Sequence, residues 1–297
     1  MVILWSRKEV GRNGFAFLKA YFSFREIALP DAEDIGVSCY TTMKIALLVP
    51  SRERIQQKLE LLNSIKATAH SLDNVTLYFG VDTDDPTRAA AKQIEAENSF
   101  VKIVDIPSVG HFQNLGVLWN ICARASTEEI ISMIGDDMVF VTKDWDVEIL
   151  KEFKSQGLLA DDFKMVHCYD GKHGAKIAVN CFIPRKYMEI TGYFMREEFP
   201  VDKVDIWLQQ IFNAFDKLRY RGDIHIEHRH WSFGKSRKDN VAVRMRANNA
   251  EQESIRLWSE LLPARFEEAE KISNALGIMY HRDLINNKEY NEPNHEL

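Results

Sequence analysis

The stretch "MKIALLVPSRER", residues 43–54, decides the fold class. Five consecutive apolar residues, Ile45 to Val49, run into Pro50 without the polar alternation of a half-exposed strand. A parallel strand buried on both faces has that pattern. After the charged turn, Ile55, Leu59, Leu62, Ile65 and Ala69 recur at spacings of three and four, which marks one face of a helix. The unit then repeats. "NVTLYFGVD" reads as a second strand ending at Asp82, and "TDDPTRAAAKQIEAE" as a turn into a helix. "VKIVDIP" is a third strand, "NLGVLWNICARAS" a helix and "EIISMIG" a fourth strand. Strands alternating with helices predict right-handed crossovers and a Rossmann-like α/β architecture, with a mostly parallel central sheet and flanking helices.

Further along, Trp145, Ile149 and Phe153 mark another helix. "FKMVHCYDG" and "AKIAVNCFIP" read as two more strands, and "RKYMEITGYF" as a short helix ended by Gly192. "VDKVDIWLQQIFNAFDKL" is amphipathic. From about residue 241 the pattern is helical and broken at Pro263, and the last dozen residues are polar enough to fray. The expected division is an N-terminal extension over 1–42, a catalytic domain over 43–240 and a C-terminal helical segment over 241–297 that packs on it. Residues 1–42 are either a small added element or a translated upstream stretch whose true start is Met43.

A formal net charge of −6 argues against bulk nucleic-acid binding. Cys39, Cys122, Cys168 and Cys181 stand alone without CxxC spacing. That disfavours a zinc scaffold or disulfide framework and suits a reducing cytoplasm. No apolar run approaches the roughly 20 residues of a membrane span. The N-terminal "GFAFLKAYFSF" is interrupted by Lys19 and precedes no small-residue cleavage site, so it does not read as a signal peptide.

Chemistry-bearing residues collect at predicted strand ends, where α/β sheets bind ligands. "EIISMIGDDMVFV", residues 129–141, delivers two adjacent acids, Asp136 and Asp137, at the end of an apolar run. Mg2+ or Mn2+ takes oxygen ligands, and one or two carboxylates plus substrate phosphates suffice. The plain alternative is a solvated turn. The GDD tripeptide also occurs in polymerase palms. In "IEHRHWSFGK", His228 and His230 would share one strand face, opposite Glu227, and one of them could complete a metal shell. Satisfied surface histidines are the alternative. Lys235, Arg237 and Lys238 follow in a Gly-containing loop that could fold over a diphosphate or stay solvated. In "FPVDKVDIWL", Asp202 and Asp205 stand near a helix start, where capping and the helix dipole favour carboxylates and where a general base would also fit.

Taken together, "KIALLVPSRER", "LYFGVDTDD", "GVLWNICARASTEEIISMIGDDMVF", "IPRKYMEITGYF" and "VDIWL" resemble, in their order, the GT-A glycosyltransferases. The likeness is nearest the inverting, family 2-like enzymes of bacterial and phage type and covers about Met43 to Asp239. The resemblance implies a nucleotide-diphosphate-sugar donor, a divalent Mn2+ or Mg2+ ion and an acceptor that is a glycan, a lipid-linked glycan or a protein. It implies that Pro50, Ser51 and Arg52 hold the nucleoside, that Asp82 contacts the base and that Asn120 lies near the donor. Asp137 would coordinate the metal, with Asp136 on ribose or metal. His228 would be a late metal ligand, with His230 as second choice. Asp205 would activate the acceptor. Here Val204 precedes Asp205 in place of an acid, which leaves Asp202 as a rival. Lys235 and Arg237 would close over the diphosphate. If Asp137 and His228 share an ion, they should lie on the order of 4–6 Å apart. The rivals are a sugar-phosphate nucleotidyltransferase, whose Gly-rich loop "VPSRERIQQK" lacks, and a carbohydrate-binding relative without turnover.

Overall fold

The computed structural model describes residues 43–110, 113–153, 162–236 and 238–285. The expected N-terminal extension, Arg237 and the terminal dozen lie outside the described residues. Within them the strand–helix rhythm is realised. Strands β1 (Ile45–Pro50), β2 (Val75–Asp82), β3 (Val101–Ile106) and β4 (Ile130–Met133) alternate with helices α1 (Ile55–Thr68), α2 (Arg88–Glu97) and α3 (Leu115–Ala125). Then come β5 (Met138–Phe140), α4 (Trp145–Glu152), β6 (Met165–Tyr169), β7 (Cys181–Pro184), α5 (Lys186–Thr191), α6 (Val204–Ala214) and β8 (Leu218–His228). The chain ends in α7 (Asn240–Met245), α8 (Ala250–Glu260), α9 (Leu262–Leu276) and α10 (Arg282–Ile285).

Among the described residues the sheet runs β3-β2-β1-β4-β7-β6-β8-β5. The first four of these strands pair in parallel. Beyond β4 the sheet is mixed: β7 is antiparallel to both β4 and β6, β8 is parallel to β6, and β5 is antiparallel to β8. The physical reason is the connection. No helix separates β6 from β7, and without a crossover helix neighbouring strands pair antiparallel.

The unbroken apolar run of β1 is explained by burial on both faces. Ile45, Leu47 and Val49 belong to the core under α1, while Ala46 and Leu48 belong to the opposite core. That second core also takes in Trp258, Ala269 and Ile272 from α8 and α9, so the C-terminal helices pack on the sheet layer. Glu268 of α9 is buried there. It accepts hydrogen bonds from the Tyr187 hydroxyl at 2.5 Å, from the Tyr193 hydroxyl and from the Trp207 indole N–H at 3.0 Å. Burial raises its pKa, and the three donors pull it back.

Replacing Glu268 with leucine leaves these donors without an acceptor. Unpaired buried polar groups cost about 1–3 kcal/mol each. Glu268→Leu is expected to lower unfolding free energy by about 3 kcal/mol or more in urea titration, and a loss under about 1 kcal/mol would contradict the role given to Glu268.

Candidate functional site

A cavity of about 480 Å³ opens at the carboxyl ends of the parallel strands. Pro50 and Ser51 enter it from the end of β1, Gly80 and Asp82 from β2, Ile106 from β3, and Gly135 with the acidic pair from the turn after β4. This is where the crossover rule puts ligands in such sheets.

Asp136 is 5% exposed, and both its oxygens are engaged. Oδ2 accepts from the Ser51 hydroxyl at 2.5 Å, and Oδ1 accepts from Arg54 Nη1 at 2.9 Å. Burial pushes its pKa up, Arg54 opposes that, and neighbouring Asp137 adds to it. Arg54 also grips Asp239 with Nε at 2.7 Å and Nη2 at 3.0 Å. One guanidinium thus spans two carboxylates 103 residues apart in sequence, which a lysine ammonium does not do with the same planar fork. At the ends of β1 and β2, Arg52 Nη1 lies 2.6 Å from Asp84 Oδ1 and 3.4 Å from Asp82 Oδ2. Burial raises the Asp82 pKa, and Arg52 opposes it.

Asp137 Oδ1 lies 3.3 Å from His228 Nε2. The pairing of β5 with β8 sets this contact: Met138 is opposite His228, and the Arg229 N–H donates to the Asp137 carbonyl at 2.8 Å. Burial disfavours both charges, but their mutual hydrogen bond prevails, so the Asp137 pKa is lowered and that of His228 raised. The pair is closer than the expected 4–6 Å because the two side chains bond directly. Adjacent donors on an octahedral ion at about 2.1 Å lie about 3 Å apart, so the pair suits a shared cation. Among the described residues, no group of three or more His, Cys, Asp or Glu gathers to enclose a metal. A cation here would draw its other ligands from substrate oxygens and water, as Mg2+ commonly does.

His230 lies past the end of β8, not on it. It starts a short 3-10 turn and accepts from the Ser232 N–H at 3.3 Å. It still lines the cavity with its ring centroid 5.2 Å from that of His228. Burial, then the charge of His228, lowers its pKa to about 4.

Asp205, in the first turn of α6, lines the cavity and accepts the Ile206 N–H at 2.8 Å. Burial raises its pKa, and the charge of Asp202 adds to the rise. Asp202 also lines the cavity but does not cap the helix. Its two oxygens are held by Arg246 Nη1 and Nη2 at 3.0 and 3.1 Å.

Two expected donor contacts, Asn120 and Lys235, do not line the cavity. Asn120 is fully buried: its Oδ1 accepts from the Phe194 and Met195 N–H groups, and its Nδ2 donates to the Met195 carbonyl and Glu197. It clamps α3 to the 194–197 segment. Gly116 serves the same approach, since a Cβ there would lie 1.8 Å from the Arg196 carbonyl oxygen. Lys235 pairs with Glu227 at 2.8 Å, beside Gly171 and away from the cavity. Arg237 is outside the described residues. The cations lining the cavity are instead Arg52, Arg54, Arg244 and Arg246 among the described residues.

The wall formed by α7 was not foreseen. Val241, Ala242, Arg244, Met245 and Arg246 line the cavity, although they lie past the expected boundary at residue 240. Arg54 stands two residues beyond Arg52 in "SRER", so its signal was present, but "NVAVRMR" carries none that separates it from an ordinary helix.

No protein-family model matches the chain, and no curated protein does. Solved structures match it in fold. Residues 1–349 of TarS from S. aureus, in complex with UDP-GlcNAc, superpose with a TM-score of 0.54 at 11% identity, over 77% of this chain and 69% of that one. The chain has the GT-A fold. The mannosyltransferase PcManGT from Pyrobaculum calidifontis, in complex with GDP-Man and Mn2+, gives a TM-score of 0.51 at 14% identity, over 84% and 83%. A longer TarS structure gives 0.53 at 12% identity, and this chain covers 41% of it. Within this GT-A fold the strand ends and the start of α6 supply the cavity's polar groups, and α7 supplies a wall of it.

Removing one partner of a buried ion pair costs about 3–5 kcal/mol. Arg54→Met is expected to lose stability in that range in guanidinium titration, and Arg54→Lys to recover only part of it. Combining Arg54→Met with Asp136→Asn should restore more than half of the loss, because the stranded charge is then gone. Additive losses would contradict the pairing.

Proposed function

We propose that the chain is a glycosyltransferase that moves a sugar from a nucleotide-diphosphate donor to an acceptor hydroxyl with inversion at the anomeric carbon. The observation that carries this reading is the convergence of three groups on one cavity at the carboxyl edge of a GT-A sheet. These are the nucleoside-side residues Ser51, Arg52 and Asp82, the Asp137–His228 pair, and Asp205 at the start of α6. The donors in the neighbouring structures, UDP-GlcNAc in one and GDP-Man in the other, support a nucleotide sugar as ligand.

In this reading Pro50, Ser51, Arg52 and Asp82 hold the nucleoside. Asp136 fixes Ser51 and Arg54 against it. Asp137 and His228, with His230 beside them, are the residues suited to Mn2+ or Mg2+, which would supply positive charge against the diphosphate. Asp205 accepts the proton of the acceptor hydroxyl. The acceptor oxygen bonds to the anomeric carbon from the face opposite the diphosphate, whose C–O bond breaks with the electron pair leaving on phosphate oxygen. Burial makes Asp205 a stronger base than an exposed aspartate, which suits proton abstraction near neutral pH. Arg54 and Arg244 keep guanidinium groups at the cavity wall, where charge-assisted hydrogen bonds to phosphate oxygens are strong. A hydroxyl of a glycan, a lipid-linked glycan or a protein would serve as acceptor.

A screen of nucleotide sugars for donor hydrolysis, run with Mn2+ and with EDTA, tests the reading. We expect turnover of at least one donor with Mn2+ and its loss with EDTA. Absence of any metal-dependent turnover or binding would reject the assignment. With an active donor in hand, Asp137→Ala should weaken metal-dependent donor binding at least tenfold. Asp205→Asn should leave the donor Kd within about twofold and lower transfer by about 10²–10⁴-fold. Equal, mild effects of the two substitutions would overturn these roles.

A further inference from the structure

Asp202 and Asp205 both line the cavity, three residues apart, and a lone carboxylate at either place has the chemistry of a base. The structure treats them differently. Asp205 has its Oδ1 on the Ile206 N–H and no cationic side chain in contact among the described residues. Asp202 is held by the two-pronged guanidinium of Arg246. Arg246 closes the C-terminal end of α7, and the helix is tied down before that point. Asp239 caps it by accepting the Ala242 N–H at 2.8 Å and is gripped by Arg54, and Arg244 Nη2 lies 2.7 Å from Glu53 Oε1. Arg246 therefore meets Asp202 from a frame fixed to the loop after β1.

We propose that Arg246 is a positioning residue for the acceptor base: its two-pronged hold on Asp202 withdraws that carboxylate from proton transfer and leaves the task to Asp205. The proposal rests on the transferase reading above. Two consequences follow from the geometry. The turn before α6 is anchored through Asp202, which fixes the direction in which Asp205 enters the cavity. The negative charge of Asp202 is also compensated at its source. Without that compensation its effect on Asp205 across the same turn would be larger. The other charged or titratable groups that face Asp205 are Lys203 in its own turn, His228 from β8 and Cys181 from β7. None of these contacts Asp202 as Arg246 does.

The test uses the full chain as wild type, Arg246→Ala, Arg246→Lys, Asp202→Asn and the Arg246→Ala/Asp202→Asn double variant. Asp205 is titrated by carbon-13 NMR of aspartate carboxyls, with Asp205→Asn giving the assignment, and the acid limb of kcat is measured with a donor that turns over. An uncompensated charge at this range raises a neighbouring carboxyl pKa by about one pH unit after solvent screening. Arg246→Ala is expected to move both the Asp205 titration and the acid limb upward by about that amount. On the acid limb, transfer should then fall about tenfold, with the Kd for nucleoside diphosphate changed less than twofold. Arg246→Lys should fall between the two, and the double variant should return the limb to the wild-type position or below. Asp202→Asn alone should move it down. An Asp205 titration unmoved in Arg246→Ala, or a double variant that does not revert, overturns the proposal while leaving the transferase reading intact. Absence of turnover in the wild type overturns the transferase reading and this proposal with it.

Discussion

The buried carboxylate of Asp136 sets the conditions for the rest of the site. A charged group at 5% exposure, at the end of the central strand β4, is tolerated only when partnered. Its partners are Ser51 and Arg54, from the turn that follows the neighbouring strand β1. That requirement ties two strand ends together. Because Arg54 has a second grip on Asp239, it also draws the start of α7 to the same point. The cavity is therefore bounded by elements from residue 50 to residue 246 through a chain of ion pairs, not by one contiguous motif.

Around this anchor the polar groups have distinct partners. Arg52 serves Asp82 and Asp84, Arg54 serves Asp136 and Asp239, Arg244 serves Glu53, and Arg246 serves Asp202. Cations and anions alternate around the cavity, so that no single sign of charge floods the site. Asp137 and His228 are matched to each other, and burial raises the pKa of Asp205.

Much of the fold was readable because it rests on local periodicity. The apolar run of Ile45 to Val49, the helix face from Ile55 to Ala69, the strand end at Asp82 and the turn after β4 that carries Asp136 all follow from patterns a few residues long. Residues that meet across the sheet were readable only where strand ends gather them, as with Asp82, Asp137 and His228. What escaped depends on long-range pairing. Asn120 looks like a donor contact in a helix before an acidic pair, but its four hydrogen bonds go to residues 194–197, about 75 positions away. Lys235 has the composition of a phosphate loop, yet Glu227, eight residues earlier, takes it. No local pattern says which arginine of "VRMR" meets Asp202. The mixed half of the sheet was likewise beyond a reading of alternation alone, since strand direction there follows from the missing crossover helix between β6 and β7.

The strand β8 does two jobs with two registers. Its first part pairs with β6 from Leu218 to Arg221, and its last part pairs with β5 from Ile226 to His228. Between them the register jumps, so that Cys168 is opposite Arg221 while Tyr169 is opposite His225. The three intervening residues, Gly222, Asp223 and Ile224, act as a spacer whose length decides which side chain arrives beside Asp137. One residue fewer would bring Arg229 opposite Met138, and one more would bring Glu227, either of which replaces the imidazole with a group of fixed charge. Ile224 is held by the core and Gly222 by the Tyr220 ring, so within the spacer the exposed Asp223 is the position open to substitution, while a change in length would shift the whole end of the strand that faces Asp137 and is the class of variation most strongly excluded there.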